Sequence, residues 1–545
     1  MRIERLPRRR WEDDPGLAQL TQDLTSVLKT PGGTQELRPV QAAALKDIYE
    51  VNGLLGVLAC GAGKTLLAHI APFLLEAQRP VLFVPASLRD KALLKDIPTL
   101  RRHWKMHPNL AVIGYEELSL AKNHDLLEML RPDLIVADEV SHLRNLKAGR
   151  TRRVARYMKA NPATKFIALS GTMTKRSLKD YAHLSQFALK VDYSPLPTTW
   201  RELESWADAL DEKPDRDVGR IVPVGALQSF CGARFDEKLR KDRPETPREG
   251  FQRRLTETPG VVATGENDVA ASLQISERKV VPPDKILHMI STMRATWETP
   301  NGDEIDEPMT LWRHAREMAC GFFQRWIPGA PEPWLKARRA WNKYVRTTLS
   351  TNRHGLDTPL QVWNETERNP TPEFEAWKAI KDTFEPNSVP QWESDFLVVD
   401  AVRWLHDKNS GGGIVWVEHT AVGEAIARKS GFPYFGGGAK ASREILFVKG
   451  PIIASVHAHK MGKDLQDRWF RNYITSPMPN GLAWEQAISR THRSGQPEDT
   501  VFVEVPLFCE EQRNSFRRAK NDAAYIEQTT GSKQRLCFAD ITFRV

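Results

Sequence analysis

Cysteine is scarce: five residues in 545, Cys60, Cys231, Cys320, Cys509 and Cys537, with no CxxC pair among them. That spacing suggests neither a disulfide framework nor a zinc site. Long apolar runs are absent too, and none approaches the roughly 18 residues that crossing a bilayer requires. The opening Met1-Arg2-Ile3-Glu4-Arg5, running on to Arg8-Arg9-Arg10, has no apolar stretch behind its charges and does not read as a signal peptide. No internal repeat occurs, and low complexity is confined to two glycine triplets, 411–413 and 436–438. The expectation is a soluble, cytoplasmic protein with no membrane partner. It is neither a secreted disulfide scaffold nor a repeat array.

What is present is a globular balance, 41% hydrophobic and 27% charged. The length suffices for two to four domains with real cores. Lysine and arginine outnumber aspartate and glutamate by 78 to 69, a net charge of +9. That balance favours a polyanionic partner such as nucleic acid, although a solvated basic face produces it as well.

Residues 35–195 alternate short apolar runs with amphipathic stretches. The runs 54–59, 81–84, 110–113, 134–137 and 166–169 are β-prone and each meets a polar turn, as buried parallel strands do. A second set follows residue 393: a helix over 396–406, an exit turn at 409–413, and strands over 414–417, 452–456 and 501–505. The expected fold class is α/β, two parallel-sheet domains at 35–195 and 393–505. Flanking them are a basic N-terminal segment 1–34, a largely helical insertion 196–392 and a C-terminal extension 506–545.

The insertion is rich in tryptophan and arginine, with eight of the sixteen tryptophans between Trp297 and Trp392. Trp334, Arg338, Trp341, Val345 and Leu349 recur at helical spacing, while Lys336, Arg339, Lys343 and Arg346 occupy other faces. Two readings stand: the tryptophans form the insertion's own core, or a basic, aromatic surface stacks bases and grips phosphates.

The run 54–59 feeds directly into Gly61-Ala62-Gly63-Lys64-Thr65, and 66–77 continues as a helix. Glycines there let backbone N–H groups face a phosphate, and a helix N-terminus adds a favourable dipole. Lys64 would reach the β- and γ-phosphates of ATP and Thr65 would hold Mg²⁺. The first glycine of the GxxxxGK[ST] pattern is replaced by Leu58. Downstream, the run 134–137 ends in Asp138-Glu139. Asp138 would bind Mg²⁺ and Glu139 would orient and deprotonate the attacking water. Late in the chain, Gln486, Arg490 and Arg493 share the spacing QxxxRxxR. Such paired arginines suit charge developing on a transferred phosphoryl group, a contribution of about 10³–10⁵ in rate.

Together these motifs resemble superfamily 2 helicases. The segment Asp138-Glu139-Val140-Ser141-His142-Leu143-Arg144-Asn145-Leu146-Lys147 with Leu169-Ser170-Gly171-Thr172 resembles motifs II and III. The Arg-Asn-Leu-Lys tail and the closing His-Arg-Ser-Gly-Gln resemble the Swi/Snf-type branch. Leu37-Arg38-Pro39-Val40-Gln41 resembles the adenine-reading motif, with Gln41 as the contact. Val84-Pro85-Ala86-Ser87-Leu88 and Gly114-Tyr115-Glu116-Glu117-Leu118 resemble motifs Ia and Ib, and Val417-Glu418-His419-Thr420 sits where motif IV falls. The resemblance implies nucleic-acid contacts at Pro85, Ser87, Tyr115, His419 and Thr420. It implies coupling roles for Ser141, His142, Ser170, Thr172 and Gln486. Three departures bear on coupling: Ser141 where many relatives have histidine, Ser489 where they have glycine, and Gly462-Lys463-Asp464-Leu465-Gln466 for a glycine- and leucine-rich motif V.

The implied activity is ATP hydrolysis, with Gln41, Gly61, Ala62, Gly63, Lys64, Thr65, Arg490 and Arg493 on the nucleotide. It would drive a monomeric motor along duplex or branched DNA, RNA remaining open, in replication, recombination or repair, with proteins of those pathways as further partners. A strand-separating helicase and a partner-binding adaptor with a weakened motor are the other readings.

Overall fold

The short apolar runs of the first 170 residues fold as strands: β1 (Gly53–Val57), β2 (Pro80–Val84), β3 (Ala111–Gly114), β4 (Leu134–Asp138) and β5 (Lys165–Ser170). These are in a computed structural model that describes residues 2–211, 225–236, 240–264, 269–300, 305, 308–351, 356, 358–407 and 412–541. Two units make up the chain. The first is Met1–Asn267 with His354–Gln361 and Ala524–Gln534; the second is Asp268–Arg353 with Val362–Ala523 and Arg535–Val545.

In the first unit two further strands form an antiparallel pair, β6 (Ala233–Asp236) and β7 (Lys241–Pro244), before β8 (Val261–Ala263). The main sheet has the order β3-β2-β4-β5-β1-β8 and every pairing is parallel. Its side chains alternate between faces, as a two-residue period requires. Leu55, Val57, Phe83, Ile135, Ala137, Phe166 and Ala168 enter one core cluster; Leu54, Leu82, Val84, Leu134, Val136, Ile167 and Leu169 enter another. Helices Gly149–Ala160 and Ala182–Tyr193 cover the first face, helices Pro39–Val51 and Lys64–Leu74 the second. A sheet buried on both faces explains why its strands read as continuous apolar runs.

The second unit repeats the plan. Its strands are β9 (Ser272–Arg278), β10 (Phe322–Trp326), β11 (Ser388–Trp392), β12 (Ile414–Val417), β13 (Tyr434–Phe435), β14 (Ile452–Ser455), β15 (Arg471–Ile474) and β16 (Thr500–Pro506). An all-parallel sheet of order β13-β14-β12-β15-β16-β9 carries Trp416, Ala454, Ile474 and Val503 on one face and Val415, Ile453 and Tyr473 on the other. The two six-stranded parallel sheets make the fold class α/β, consistent with two RecA-like domains.

The boundaries differ from those expected. Residues 196–392 are not one insertion: Val261 pairs with Leu55 in the first sheet, and β9 runs alongside β16 in the second. Neither strand stands out in the sequence, since β8 has three residues and β9 is a half-exposed polar edge. Nor is the segment 1–34 a separate basic tail. Ile3 and Leu6 are buried, and the buried Arg254 donates to the carbonyls of Ile3, Leu6 and Pro7 at 3.2 Å each. The exit turn read at 409–413 lies partly outside the described residues. The helix read over 66–77 spans Lys64–Leu74, with Pro72 in its last turn. Among the described residues no helix is long and apolar enough to cross a membrane.

The tryptophan stripe proves to be core. Helix Glu332–Ser350 buries Trp334, Trp341 and Val345. Trp334 packs edge-on against Trp326, Trp377 and Phe384, and Trp341 against Trp363 and Phe374.

The C-terminal residues of the second unit also carry part of its interior. Arg535, with 0% of its side chain exposed, pairs with Glu485. It also donates to the carbonyl of His492, from Nε at 3.1 Å and Nη2 at 2.9 Å. Removing one partner of a buried pair strands the other charge. Arg535→Ala is expected to cost the second unit about 3–5 kcal/mol in urea denaturation; a loss below about 1 kcal/mol contradicts this role.

Candidate functional site

In a parallel sheet the turns leaving adjacent strands emerge at one edge. Here β1, β4 and β5 leave side by side, bringing Leu58–Thr65, Asp138-Glu139 and Ser170-Gly171-Thr172 together. The register continues into the turn, because Leu58 N donates to Ser170 O at 3.0 Å.

The loop after β1 takes a form open mainly to glycine. Gly61 has φ +96° and Gly63 φ +88°, and a Cβ on Gly63 would fall 1.8 Å from Gln41 Nε2. A Cβ on Gly171 would meet Leu58 O at 3.2 Å, so the third motif also needs its glycine for close approach. Lys64, buried at the first turn of its helix, donates from Nζ to Leu58 O at 2.8 Å and Ala59 O at 3.2 Å. Thr65 follows it, half-buried. Gln41 is tied to the loop: Nε2 donates to Ala62 O at 3.4 Å, while Oε1 accepts from Arg38 N at 2.8 Å.

Asp138 ends β4. Burial, then the adjacent charge of Glu139, push its pKa up to about 6 from an ordinary 3.8, and the Lys64 ammonium opposes the rise. Glu139 adopts left-handed backbone, φ 53°, which turns the chain sharply after the strand. The hydroxyl of buried Ser170 has two acceptors for its one proton, Thr172 O at 3.2 Å and Glu139 Oε2 at 3.4 Å, and so sits between the second and third motifs. Thr172 is buried and its Oγ1 has no hydrogen-bond partner. Ser141 is buried, and His142 stacks on Tyr115 with centroids 5.0 Å apart.

Tyr115 corrects an expectation. It is fully buried and its Oη donates to Asp138 O at 2.8 Å, so it anchors the acidic turn and presents no surface to a nucleic acid. Pro85 is likewise buried, whereas Ser87 is exposed. In the second unit Thr420 is exposed and His419 half-buried, its pKa lowered by burial.

Two residues that sequence reasoning passed over also shape the loop. Thr264, just past β8, accepts Ala59 N on its Oγ1 at 2.7 Å. Arg38 donates to the carbonyl of Gly61. Thr264 lies some 200 residues downstream of the loop, on a strand too short to notice; the cue for Arg38 is its place three residues before Gln41.

The paired arginines are unlike each other. Arg490 is buried, donating to Gln486 O, Lys463 O and Ser489 Oγ at 2.9, 2.9 and 2.8 Å. It thereby ties the helix Gly481–Ile488, which includes Gln486, to the thinned motif V segment. Ser489, the departure from glycine, supplies one of those acceptors. Arg493 is more open and pairs with the half-exposed Asp464.

The loop's fit to a triphosphate rests on two positive-φ glycines, one amide-lined by Gln41, and a buried lysine. The oxygen donors Thr65 and Asp138 suit Mg²⁺, which takes one or two protein oxygens and completes its shell from phosphate and water. Among the described residues no group of three or more His, Cys, Asp or Glu side chains is placed to hold a metal. Compared with known protein families and with curated proteins, the chain matches none.

Two outcomes follow. The raised pKa of Asp138 means that its charge costs stability at neutral pH. The contribution is favourable below about pH 4, where the unfolded group also protonates, and is lost as pH rises through about 6. Asp138→Asn is therefore expected to raise the melting temperature by about 2–5 °C at pH 8, an effect that fades toward pH 4. A variant no more stable than wild type at pH 8 contradicts it. Arg490→Ala is expected to lower the second unit's melting temperature well below wild type and Arg493→Ala to leave it within about 1 °C. Equal losses contradict the scaffold role of Arg490.

Proposed function

We propose that this protein is an ATP-driven nucleic-acid motor of the superfamily 2, Swi/Snf-like kind, translocating on or remodelling DNA. The observation that carries the reading is the meeting of Lys64, Asp138, Glu139 and Ser170 at the ends of adjacent strands β1, β4 and β5. A turn that only reversed the chain would need no buried lysine beside a carboxylate pushed to about 6. Groups with opposed electrostatic surroundings in one patch are a mark of function.

The backbone N–H groups of Gly61–Thr65 bind the phosphates, and Lys64 leaves the carbonyls of Leu58 and Ala59 to neutralise them. Gln41 orients the adenine while its amide senses the loop through Ala62. Thr65 and Asp138 would hold Mg²⁺, which would supply charge neutralisation for the triphosphate. Glu139 accepts the proton of the attacking water. The Ser170 hydroxyl lies within reach of the carboxylate and so links it to the turn after β5. On the resemblance to superfamily 2 motors, Arg493 would stabilise charge on the transferred phosphoryl group, and Arg490 braces its own segment of the second unit.

Lys64→Ala and Glu139→Gln are expected to lower DNA-stimulated ATP turnover by about 10² or more, with Glu139→Gln retaining ATP binding. Wild-type turnover in both variants discards the site. Triplex displacement without strand displacement on duplex substrates is the expected signature of the motor; strand separation alone would instead make it an unwinding helicase.

A further inference from the structure

The tryptophan-rich helix carries a second feature once its core face is known. On Glu332–Ser350, the buried Trp334, Trp341 and Val345 define one side. Lys336, Arg339, Lys343 and Arg346 are all exposed and stand at i, i+3, i+7 and i+10. At 100° per residue these four fall within about 80° of one another, diametrically opposite the tryptophans. The only acidic residue in the helix is Glu332, in its first turn. Within the helix this ridge carries charge of one sign and extends about 15 Å along the axis at 1.5 Å per residue, with Arg346 Nε also donating to Asn342 O at 3.4 Å.

The ridge has a stiff base. Trp334 and Trp341 are locked edge-to-face among Trp326, Trp363, Phe374, Trp377 and Phe384, and Arg338 lies over the Trp326 and Trp334 rings at 5.4 and 5.1 Å. Trp334 Nε1 donates to Lys381 O at 3.1 Å. A core of that kind fixes the helix's rotation about its axis, so the four cations are presented on a preset face. Trp334 and Trp341 themselves are buried, so these two rings offer no platform for bases.

We propose that this ridge is a nucleic-acid phosphate-binding element, gripping the DNA backbone through charge and without base stacking. The inference rests on the motor reading for the identity of its polyanion, and on the helix geometry for its location. It assigns the second unit's tryptophans a positioning task and the exposed cations the contact. Sequence-independent backbone contact also suits a motor that must hold any sequence it meets.

The test compares wild type with the variant K336Q/R339Q/K343Q/R346Q and the milder K336Q/K343Q. Binding of a fluorescent 20-base-pair duplex is measured by anisotropy from 50 to 300 mM salt, beside basal ATP turnover and circular dichroism. Each phosphate contact adds roughly 0.9 to the salt slope for duplex DNA. The quadruple variant is therefore expected to bind with a slope shallower by about 3.6, and the double variant by about 1.8. Basal turnover without DNA should be unchanged in both. If the quadruple variant fails to fold, the double variant alone decides. Wild-type slopes in a folded variant overturn the ridge while leaving the motor reading intact. Loss of binding to phosphatidylserine vesicles with an unchanged DNA slope overturns it in favour of a membrane surface. Absence of DNA binding and of DNA-stimulated turnover in wild type overturns the motor reading, and the ridge with it.

Discussion

A lysine ammonium and an aspartate carboxylate share one poorly solvated patch, where the lysine's charge favours the ionised aspartate. Lys64 is buried against the carbonyls of Leu58 and Ala59, and Asp138 is desolvated at the tip of β4. Either charge alone in such a place would be costly. Parallel strands force the arrangement, since β1, β5 and β4 are consecutive neighbours whose ends must share an edge. Gly171 then lets the turn after β5 come close to the loop after β1, while Gly61 and Gly63 supply that loop's left-handed backbone. Stability is sacrificed there, as the upward direction of the Asp138 pKa shows.

Around this patch the fold supplies anchors, not further chemistry. Tyr115 holds the backbone of Asp138 from below, Thr264 holds Ala59, and Arg38 and Gln41 hold the glycine loop. The same division of labour recurs in the second unit. Arg490 stitches Gln486, Ser489 and Lys463 together, and Arg535 braces Glu485 and His492 from the last part of the chain. Burial and the nearby Arg490 lower Lys463 to about 8, so this segment too carries closely packed positive charge.

Much of the fold was legible because doubly buried strands leave unbroken apolar runs. Runs 134–137 and 414–417 match β4 and β12 to within a residue. Among the strands that escaped notice were β8, three residues long, β9, an edge strand of mixed polarity, and β15, whose Asn472 is buried through bonds to Trp416 and Thr491. Missing β8 and β9 moved the expected domain boundaries. At the site, residue types at fixed spacing announced Lys64, Asp138 and Glu139. Burial is not a property of spacing, so Tyr115 read as a surface contact and Arg490 as the equal of Arg493. The Glu485–Arg535 pair is 50 residues apart in sequence and had no local cue. The tryptophan stripe was ambiguous until the rings could be seen packing on one another.

The claim on which everything else stands is that the glycine-lined loop after β1 holds a triphosphate. A calorimetric titration with ATP and Mg²⁺, in wild type and in Gly63→Ala, tests it most directly. The alanine must adopt left-handed backbone and its Cβ must displace the Gln41 amide, while Lys64, Asp138 and Glu139 are left unaltered. One equivalent of ATP bound by wild type, and at least about tenfold weaker binding by the variant, a difference of about 1.4 kcal/mol, is the expected result. No binding by wild type, or undiminished binding by Gly63→Ala, would contradict it.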